Sequence, residues 1–368
     1  MTLQETIRPS ADLRNHYSEI SKLCKENKEA VIITVNGRGD TVALSYEEYK
    51  NMKIYLLSCA DSDEGGGIYE CELSENGTLN QTDYFACDRP MYAVLKENKL
   101  HVLLCQPLED DIYSGYFTLN ADLTQPSAIK STLGKCACHL AVSGDDTYIV
   151  NYLSGNLSKN GESAVYHAGK GVSQPRQDGP HTHFTAVSKD GKYVFCTDLG
   201  LDTLYVYDRN LKEITCAKVP DGYGIRHLAF SDDEKIVYAV NELVPSVSVF
   251  TFDNGALELK NTLLLPCEKP NLTAAAIRRW KGNLLYVSVR GENAVFVLKA
   301  DKTELETVGK YDCGGIGPRD FDVFGNFMVV CNENSHNAAV FRLDEKGFIA
   351  EKTCDFVCRG VLNCLKAE

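Results

Sequence analysis

The stretch AVSKDGKYVFCTD at residues 186–198 places a short apolar run before a polar Asp-Gly turn and a second run of strand-forming residues. Five further copies keep this order; they are AVLKENKLHVLLCQ at 93–106, AVSGDDTYIVNY at 141–152, AFSDDEKIVYAVNE at 229–242, AIRRWKGNLLYVSVR at 276–290 and DVFGNFMVVCNEN at 322–334. The copies begin 43 to 48 residues apart, a period typical of β-propeller blades rather than of helical solenoids. The chain is therefore predicted to be built from repeated blades.

Each repeat predicts one four-stranded antiparallel blade. Third strands are predicted after the copies, at 203–207, 246–252 and 294–298. Residues 54–368 have room for seven blades, counting a divergent first blade at 54–88. Because blades bury their faces only against each other, we expect a ring in which residues 361–365 pair with 54–58 and leave no open edge. The predicted fold class is all-β, a seven-bladed β-propeller at 54–368 preceded by a small α+β module at 1–53.

The composition is that of an ordinary soluble protein, with 44 % hydrophobic and 24 % charged residues in 368. No apolar stretch reaches the roughly 18 residues of a membrane-spanning helix, and the polar N-terminus lacks the apolar core of a signal peptide. A cytoplasmic location without a membrane partner is therefore expected. The 15 cysteines include no CxxC pair and many lie in strand-like runs, so they are interpreted as small buried hydrophobes, and no metal or cofactor is expected.

The formal net charge of −13 belongs to the repeats, because residues 1–53 contain eight Lys or Arg and eight Asp or Glu. Neutralising phosphates requires clustered cations. The charge therefore disfavours a nucleic-acid role for the propeller.

The first 53 residues have a different period. Their pattern predicts a helix at 12–25, two strands (AVIITVN and DTVALS) around an Asn-Gly-Arg-Gly turn, and a final short helix, YEEYKNM. Ser10 and Asp12 are candidate caps of the first helix, and Ser45 with Glu48 forms a capping box before the last. One face of the first helix carries an apolar row, Leu13, Tyr17, Ile20, Leu23 and Cys24.

This segment resembles the N-terminal half of Phd/YefM-type antitoxins. The resemblance implies that the segment dimerises and binds operator DNA, as that half does in the family. The tail that wraps the toxin in that family is missing here. DNA binding by residues 1–53 is not favoured, because the segment has no net positive charge. The favoured interpretation is instead a homodimerisation or docking module, or a remnant of gene fusion. For self-association, we expect the helix row of Leu13, Tyr17 and Ile20 to form the contact.

Candidate site residues recur at two corresponding positions of the blades, the start of the inner strand and the end of the second strand. In a propeller these positions meet at one mouth of the channel. The set predicted to lie there is His139, Asn151, His181, His183, Asp198, Arg226, His227, Glu242, Arg290, Arg319 and Asn332. Such a ring of imidazole, guanidinium and carboxylate groups favours a functional site over a bare scaffold.

The same motifs resemble those of the seven-bladed lactonase family, which includes bacterial 6-phosphogluconolactonases and fungal carboxymuconate lactonizing enzymes. The motifs include Cys-His at 138–139, Pro-His-x-His at 180–183, Asp-Leu-Gly at 198–200, Arg-His at 226–227, Asn-Glu-Leu at 241–243 and Pro-Arg-Asp-Phe at 318–321. Carrying the family's catalytic positions across implies roles for His183, Arg226, Glu242 and Arg290. The remaining members of the set are expected to bind substrate. The sequence departs from the family pattern at three positions. Ile225 and Ala137 stand where the family has proline, and Val289 stands where it has asparagine.

The resemblance implies hydrolysis of a sugar lactone, with 6-phosphogluconolactone as the favoured substrate. Either Glu242 or His183 could accept the proton of an attacking water. Arg226 and Arg290 could hold the oxyanion or a substrate phosphate. Two alternatives stay open: a cycloisomerase or lyase acting on a carboxymuconate-like substrate, and a non-catalytic binding propeller.

Overall fold

The computed structural model describes residues 7–27, 31–43, 51–107, 113–280 and 282–366. Its first elements form a small module, with β1 (Ile7–Pro9), α1 (Asp12–Asn15), α2 (Tyr17–Asn27), β2 (Val31–Val35) and β3 (Arg38–Ala43). None of the helices within the described ranges is long and apolar enough to span a membrane.

Seven four-stranded sheets follow, each one blade of a propeller. Blades one to three contain β4 (Met52–Ser58), a 3₁₀-helix (Ser62–Glu64), β5 (Gly67–Leu73), β6 (Leu79–Ala86), β7 (Pro90–Lys96), β8 (Lys99–Pro107), β9 (Ser114–Asn120), β10 (Lys130–Ser131), β11 (Ala137–Ser143), β12 (Asp146–Asn151), β13 (Asn156–Lys159) and β14 (Ser163–Tyr166). Blades four and five contain β15 (Thr182–Val187), β16 (Tyr193–Asp198), β17 (Thr203–Asp208), β18 (Glu213–Lys218), β19 (Ile225–Phe230), β20 (Ile236–Asn241), β21 (Ser246–Asp253) and β22 (Ala256–Leu264). Blades six and seven contain β23 (Thr273–Arg279), β24 (Leu284–Arg290), β25 (Ala294–Asp301), β26 (Glu304–Asp312), β27 (Pro318–Phe324), β28 (Phe327–Asn332), β29 (Asn337–Leu343) and β30 (Ile349–Val357), and β31 (Val361–Lys366) ends the chain's strands.

The burial of each strand follows its place in the blade. The second strands are largely apolar and covered on both faces, as in β28, where all six residues are buried. The outer strands alternate half-buried and exposed positions, as most of β18 does, because one face meets solvent. Apolar clusters fill the space between neighbouring blades; one of them joins Val240 and Val247 of blade five to Ile277 and Leu285 of blade six. The cores between blades therefore hold the ring together.

The last strand closes the ring, as the repeat count predicts. β31 pairs antiparallel with β4, with Val361 opposite Ser58 and Lys366 opposite Ile54. It is the inner strand of blade one, whose order is β31, β4, β5 and β6. The two ends of the propeller are thereby joined within a single sheet.

The helix predicted at 12–25 is interrupted at His16, which separates α1 from α2. The predicted caps are wrong: Ala11 occupies the N-cap position of α1 and no side chain caps it. The predicted association row is not exposed along its whole length, because Ile20 packs in the module's own core with Cys24, Val31 and Ile33; self-association stays a prediction. Leu13 and Tyr17 are exposed.

A different apolar row is exposed on the sheet of this module. Ile7 lies beside Ile32, and Ile32 lies beside Val42, so the row crosses all three strands. All three side chains are exposed. The hairpin turn at Asn36 and Gly37, with φ of 52° and 75°, has the left-handed residues that a two-residue turn requires. The predicted capping box at Ser45 and Glu48 lies outside the described residues.

Candidate active site

An irregularity at the start of every inner strand positions the site. In each blade the pairing between inner and second strands shifts by one residue there, as at Thr182 and Phe184 in blade four. The residues in these β-bulges are Leu362, Met91, Cys138, His183, Arg226 with His227, Ala275 with Ala276, and Arg319. Bulges re-aim side chains beside functional sites. Here they bring residues of several blades to one end of the channel.

A cavity of about 360 Å³ lies at this end, within the size range of small-molecule sites. Its lining comes from the bulges, the second-strand ends and one loop, and consists of Met91, Cys136, Cys138, Tyr152, Arg176, His183, Arg226, Glu242, Thr273, Arg290 and Arg319. The four residues carried over as catalytic, His183, Arg226, Glu242 and Arg290, all line it. The structure thus brings them together at one mouth.

Glu242 is the centre of the charge network in this cavity. Its Oε1 accepts hydrogen bonds from Arg176 Nη2 at 2.6 Å and lies 3.1 Å from Arg290 Nη2. Its Oε2 accepts from Arg226 Nε at 2.8 Å. The carboxylate is buried. Both oxygens are therefore already engaged by guanidinium groups.

The protonation state of Glu242 follows from these contacts. Burial by itself raises the pKa of a carboxyl group, but the charges of Arg290 and Arg226 outweigh burial, and the pKa of Glu242 lies well below its ordinary value. A carboxylate so stabilised is a weak base. The geometry shows Glu242 in contact with three arginines; its role as proton acceptor stays a prediction.

His183 is the neutral group of the cavity. Burial and the charge of Arg226 hold its pKa well below the ordinary value for histidine. Its Nδ1 is buried and has no hydrogen-bond partner among the described residues. Its ring meets Tyr152 edge-on at 5.7 Å between centroids. At neutral pH the imidazole is therefore neutral, and one of its two ring nitrogens has a lone pair.

Arg226 connects blade five to blade six. Its Nη1 donates to the Ala275 carbonyl at 2.6 Å and lies 3.0 Å from His227 Nε2. Because a guanidinium can only donate, His227 Nε2 must be an acceptor and its ring neutral. Burial lowers the pKa of Arg226 to about 9, which leaves it charged at neutral pH.

Arg176 is a site residue that the repeat pattern does not identify. It lies in the loop at 167–181 between β14 and β15, outside any blade register. Buried Gln177 anchors this loop through its Nε2, which donates to the Leu199 carbonyl and to Asp202 Oδ1, each at 2.8 Å. In the sequence, the only sign of this loop is its length together with its content of Gly, Pro and Ser.

Three of the predicted binding residues are histidines that lie outside the cavity wall. His139 follows the bulged Cys138 by one residue and therefore faces the other way; it packs on Tyr92 and Phe184, each at 4.1 Å, and lines a second cavity of about 530 Å³. His181 stacks on Tyr152 at 4.4 Å. His227 lies behind His183, 5.3 Å away.

Three more predicted residues make structural hydrogen bonds. Asn151 accepts from Thr132 Oγ1 at 2.7 Å, and Asn332 donates to the Cys313 carbonyl at 3.0 Å. Asp198 accepts from the His181 amide at 2.8 Å and pairs with His167 Nδ1 at 2.6 Å. All three are fully buried. These side chains at the strand ends hydrogen-bond to loop residues and do not line the cavity.

The cavity wall is strongly cationic. Four of its residues are arginines and one, Glu242, is an acid. Arg319 has a partner of its own, Glu333, at 3.2 Å. Among the described residues, no group of three or more His, Cys, Asp or Glu is arranged to hold a metal ion. The four arginines of the wall suit an anionic ligand.

Comparison with known proteins defines the class. The family model of the seven-bladed β-propeller lactonases matches residues 54–360, and that of the Phd/YefM antitoxins of type II toxin–antitoxin systems matches residues 5–64. The chain therefore belongs to the seven-bladed lactonase family.

Individual relatives agree with this assignment. The 6-phosphogluconolactonase of Bacillus subtilis is 30 % identical over 325 residues, which span 80 % of this chain and 93 % of that protein. A crystal structure of a protein from Lactobacillus plantarum matches with a TM-score of 0.78 at 25 % identity, over 86 % of this chain and 100 % of that one. The periplasmic gluconolactonase of Pseudomonas aeruginosa has the same fold, with a TM-score of 0.78 at 22 % identity, over 86 % and 99 % of the two chains.

Proposed function

We propose that the protein hydrolyses a sugar lactone bearing an anionic substituent, with 6-phosphogluconolactone as substrate and 6-phosphogluconate as product. The observation that carries this proposal is the cavity wall of four arginines and one acid, in a chain of net charge −13. Clustered cations in a negatively charged protein attract an anionic ligand to one place. The Bacillus subtilis 6-phosphogluconolactonase among its relatives supports the same substrate class.

His183 is the proposed general base. A water hydrogen-bonded to the unprotonated ring nitrogen attacks the lactone carbonyl carbon and transfers a proton to the imidazole. The tetrahedral intermediate then collapses, the bond to the ring oxygen breaks, and the imidazolium returns the proton to that oxygen. An anionic substituent near the arginines offsets their charge and so raises the pKa of His183 when substrate is bound.

The arginines divide into two roles. Arg226 is buried and Arg290 is half-buried, and both line the cavity with His183, where they can stabilise the oxyanion. Arg176 is 43 % exposed and stands at the outer side of the network, where it can meet a phosphate group. Glu242 orients these guanidinium groups through both of its oxygens, so it is a positioning residue.

The substrate assignment is tested by comparing the enzymatic hydrolysis of 6-phosphogluconolactone and glucono-δ-lactone, each corrected for spontaneous opening. A charge-assisted contact is worth about 1.5–3 kcal/mol, so kcat/KM should favour the phosphorylated lactone by about tenfold to a hundredfold. Equal values would contradict the anionic substituent. No rate above the blank with either lactone would contradict lactonase activity.

The base assignment is tested with His183→Gln. Loss of general-base help should lower kcat by roughly a hundredfold or more while KM changes little. His101→Gln, elsewhere in the propeller, serves as the control and should keep kcat. An unchanged kcat in the His183 variant would remove His183 from the mechanism.

The phosphate contact is tested with a matched pair of variants, Arg176→Met and Arg209→Met. Both arginines are half-exposed and each bonds one carboxylate, Glu242 and Asp146 respectively, but Arg209 lies outside the cavity. Only the Arg176 variant should raise KM for the phosphorylated lactone, by about tenfold. Equal effects of the two changes would contradict the contact.

A further inference from the structure

Arg176 reaches the cavity from the loop at 167–181, whose two ends are held by one carboxylate. Asp198 Oδ2 lies 2.6 Å from the Nδ1 atom of His167, the first residue of the loop. Asp198 Oδ1 accepts a hydrogen bond at 2.8 Å from the amide of His181, the last residue. The Asp198 and His167 side chains are almost fully buried. The base of the loop is therefore fixed to the end of β16.

The middle of the loop is held by a second carboxylate, Asp202. The buried side chain of Gln177 donates through Nε2 to Asp202 Oδ1 at 2.8 Å. Its Oε1 accepts from the Ser173 amide at 2.9 Å. Gln177 is the residue directly after Arg176. Asp202 therefore fixes the backbone from which the Arg176 side chain extends.

Gly200 lies between these two acids and permits the close approach of the loop. A Cβ at position 200 would lie 1.9 Å from the Gly179 carbonyl oxygen, far inside van der Waals contact. Any other residue would push the loop away from the turn. The motif Asp-Leu-Gly at 198–200, extended to Asp202, therefore clamps the loop at both ends and in the middle.

Asp202 also fixes the partner of Arg176. Its Oδ1 accepts from the Gly224 amide at 2.6 Å, and its Oδ2 accepts from the Gly222 amide at 2.7 Å. The Gly224 carbonyl in turn accepts from the Glu242 amide at 2.7 Å. One buried carboxylate therefore connects the loop that carries Arg176 to the segment that holds the Glu242 backbone.

We propose that Asp202 and Gln177 are positioning residues for Arg176, and that they hold its guanidinium where it meets the anionic group of the substrate. Arg176 Nη2 lies 2.6 Å from Glu242 Oε1, and both partners of this pair are tied to the same carboxylate. The effect on substrate binding rests on the proposed lactonase function; the clamp on the loop does not.

The ion pair with Glu242 does not fix Arg176 by itself. The Arg176 side chain is 43 % exposed, and an ion pair of such a side chain stabilises its position only weakly. Ordering a long side chain when the ligand binds weakens binding by roughly twofold to tenfold. A loop that is already clamped avoids this loss, so release of the clamp should raise KM by that factor.

The clamp is tested by amide hydrogen exchange on the folded full chain, with the variants Gln177→Met and Asp202→Asn. Gln177→Met removes the contacts of the amide group and keeps a side chain of similar length. Asp202→Asn keeps the shape but turns one acceptor oxygen into a donor that faces an N–H group. In both variants exchange at 170–178 should be faster by roughly fivefold, the scale of one lost hydrogen bond.

Asp208→Asn is the control for these variants. Asp208 accepts hydrogen bonds from two turn amides at the opposite end of β17. The same change of acid to amide there should leave exchange at 170–178 as it is in the wild type.

The link to Arg176 is tested by a double-mutant cycle on lactone hydrolysis. Gln177→Met alone should raise KM for 6-phosphogluconolactone by roughly twofold to tenfold, with a smaller change for glucono-δ-lactone. In the Arg176→Met background the same change should have no further effect on KM, because the group that it positions is gone. Asp202→Asn should also raise KM, and part of its effect should persist without Arg176, because Asp202 holds the Glu242 side as well.

Equal effects of Gln177→Met in the two backgrounds, or unchanged exchange at 170–178, would overturn the proposal. Faster exchange with an unchanged KM would overturn it as well, because the clamp would then not position Arg176. If Asp202→Asn does not fold, Gln177→Met decides alone, since it leaves both glycine contacts of Asp202 in place. If the wild type hydrolyses neither lactone, the proposed function fails, while hydrogen exchange still decides the clamp.

Discussion

Replacing Glu242 with glutamine removes one buried negative charge from the centre of three arginines and keeps the side-chain volume. The contact with Arg226 decides the magnitude, because the two side chains are only 2 % and 4 % exposed, and breaking such a buried pair costs about 3–5 kcal/mol. Arg176 and Arg290 are more exposed, and each adds only about 0–1 kcal/mol. Glu242→Gln should therefore lower the free energy of unfolding by about 3–5 kcal/mol.

The assay is urea denaturation at neutral pH followed by circular dichroism. Glu333→Gln is the matched control, because Glu333 occupies the corresponding position of blade seven, bonds a single arginine and is 34 % exposed. The control should lose only about 0–1 kcal/mol. A loss in Glu242→Gln no larger than that of the control would refute the assignment of Glu242 as the centre of a buried charge network.

The pH dependence of this difference has a definite sign. The folded pKa of Glu242 is depressed, so its stabilising contribution is complete above the unfolded value of about 4.3 and is lost as pH falls toward the folded pKa. The gap between wild type and Glu242→Gln should be constant from about pH 8 to 5.5 and should shrink below about pH 4. A gap that shrinks near pH 7 would contradict a depressed pKa.

Three further outcomes are expected. Arg226→Lys should lower kcat/KM by about tenfold or more, because an ammonium cannot bond Glu242, Ala275 and His227 with the guanidinium's geometry; Arg209→Lys on the surface should not. Raising ionic strength from about 0.05 to 0.5 M should raise KM for a phosphorylated lactone more than for an unphosphorylated one, because salt screens the cationic mouth; parallel changes would contradict charge-based capture. We also propose that residues 1–53 form a homodimer, so removal of residues 1–50 should halve the mass measured by light scattering and leave lactone hydrolysis unchanged; an unchanged mass would contradict this role.

The sequence by itself determined the ring of blades. Strand periodicity and turn chemistry are local properties, so the repeat identified each inner and second strand and the pairing of β31 with β4. The same register placed His183, Arg226, Glu242 and Arg290 at strand ends that share one mouth. In the N-terminal module, local patterning also identified the Asn36-Gly37 turn, but it missed the break at His16 because a helix interruption depends on packing.

Only the tertiary structure decided which strand-end residues face the cavity. A bulge shifts the register of each inner strand by one residue, so Cys138 rather than His139 lines the wall. Hydrogen bonds to neighbouring loop residues hold Asn151 and Asp198 away from the cavity. Arg176 reaches Glu242 from a loop 66 residues away in the chain. The charge state of Glu242 depends on distances to three arginines brought together by blades four to six. Electrostatic energy varies with those distances, and no local sequence pattern encodes them.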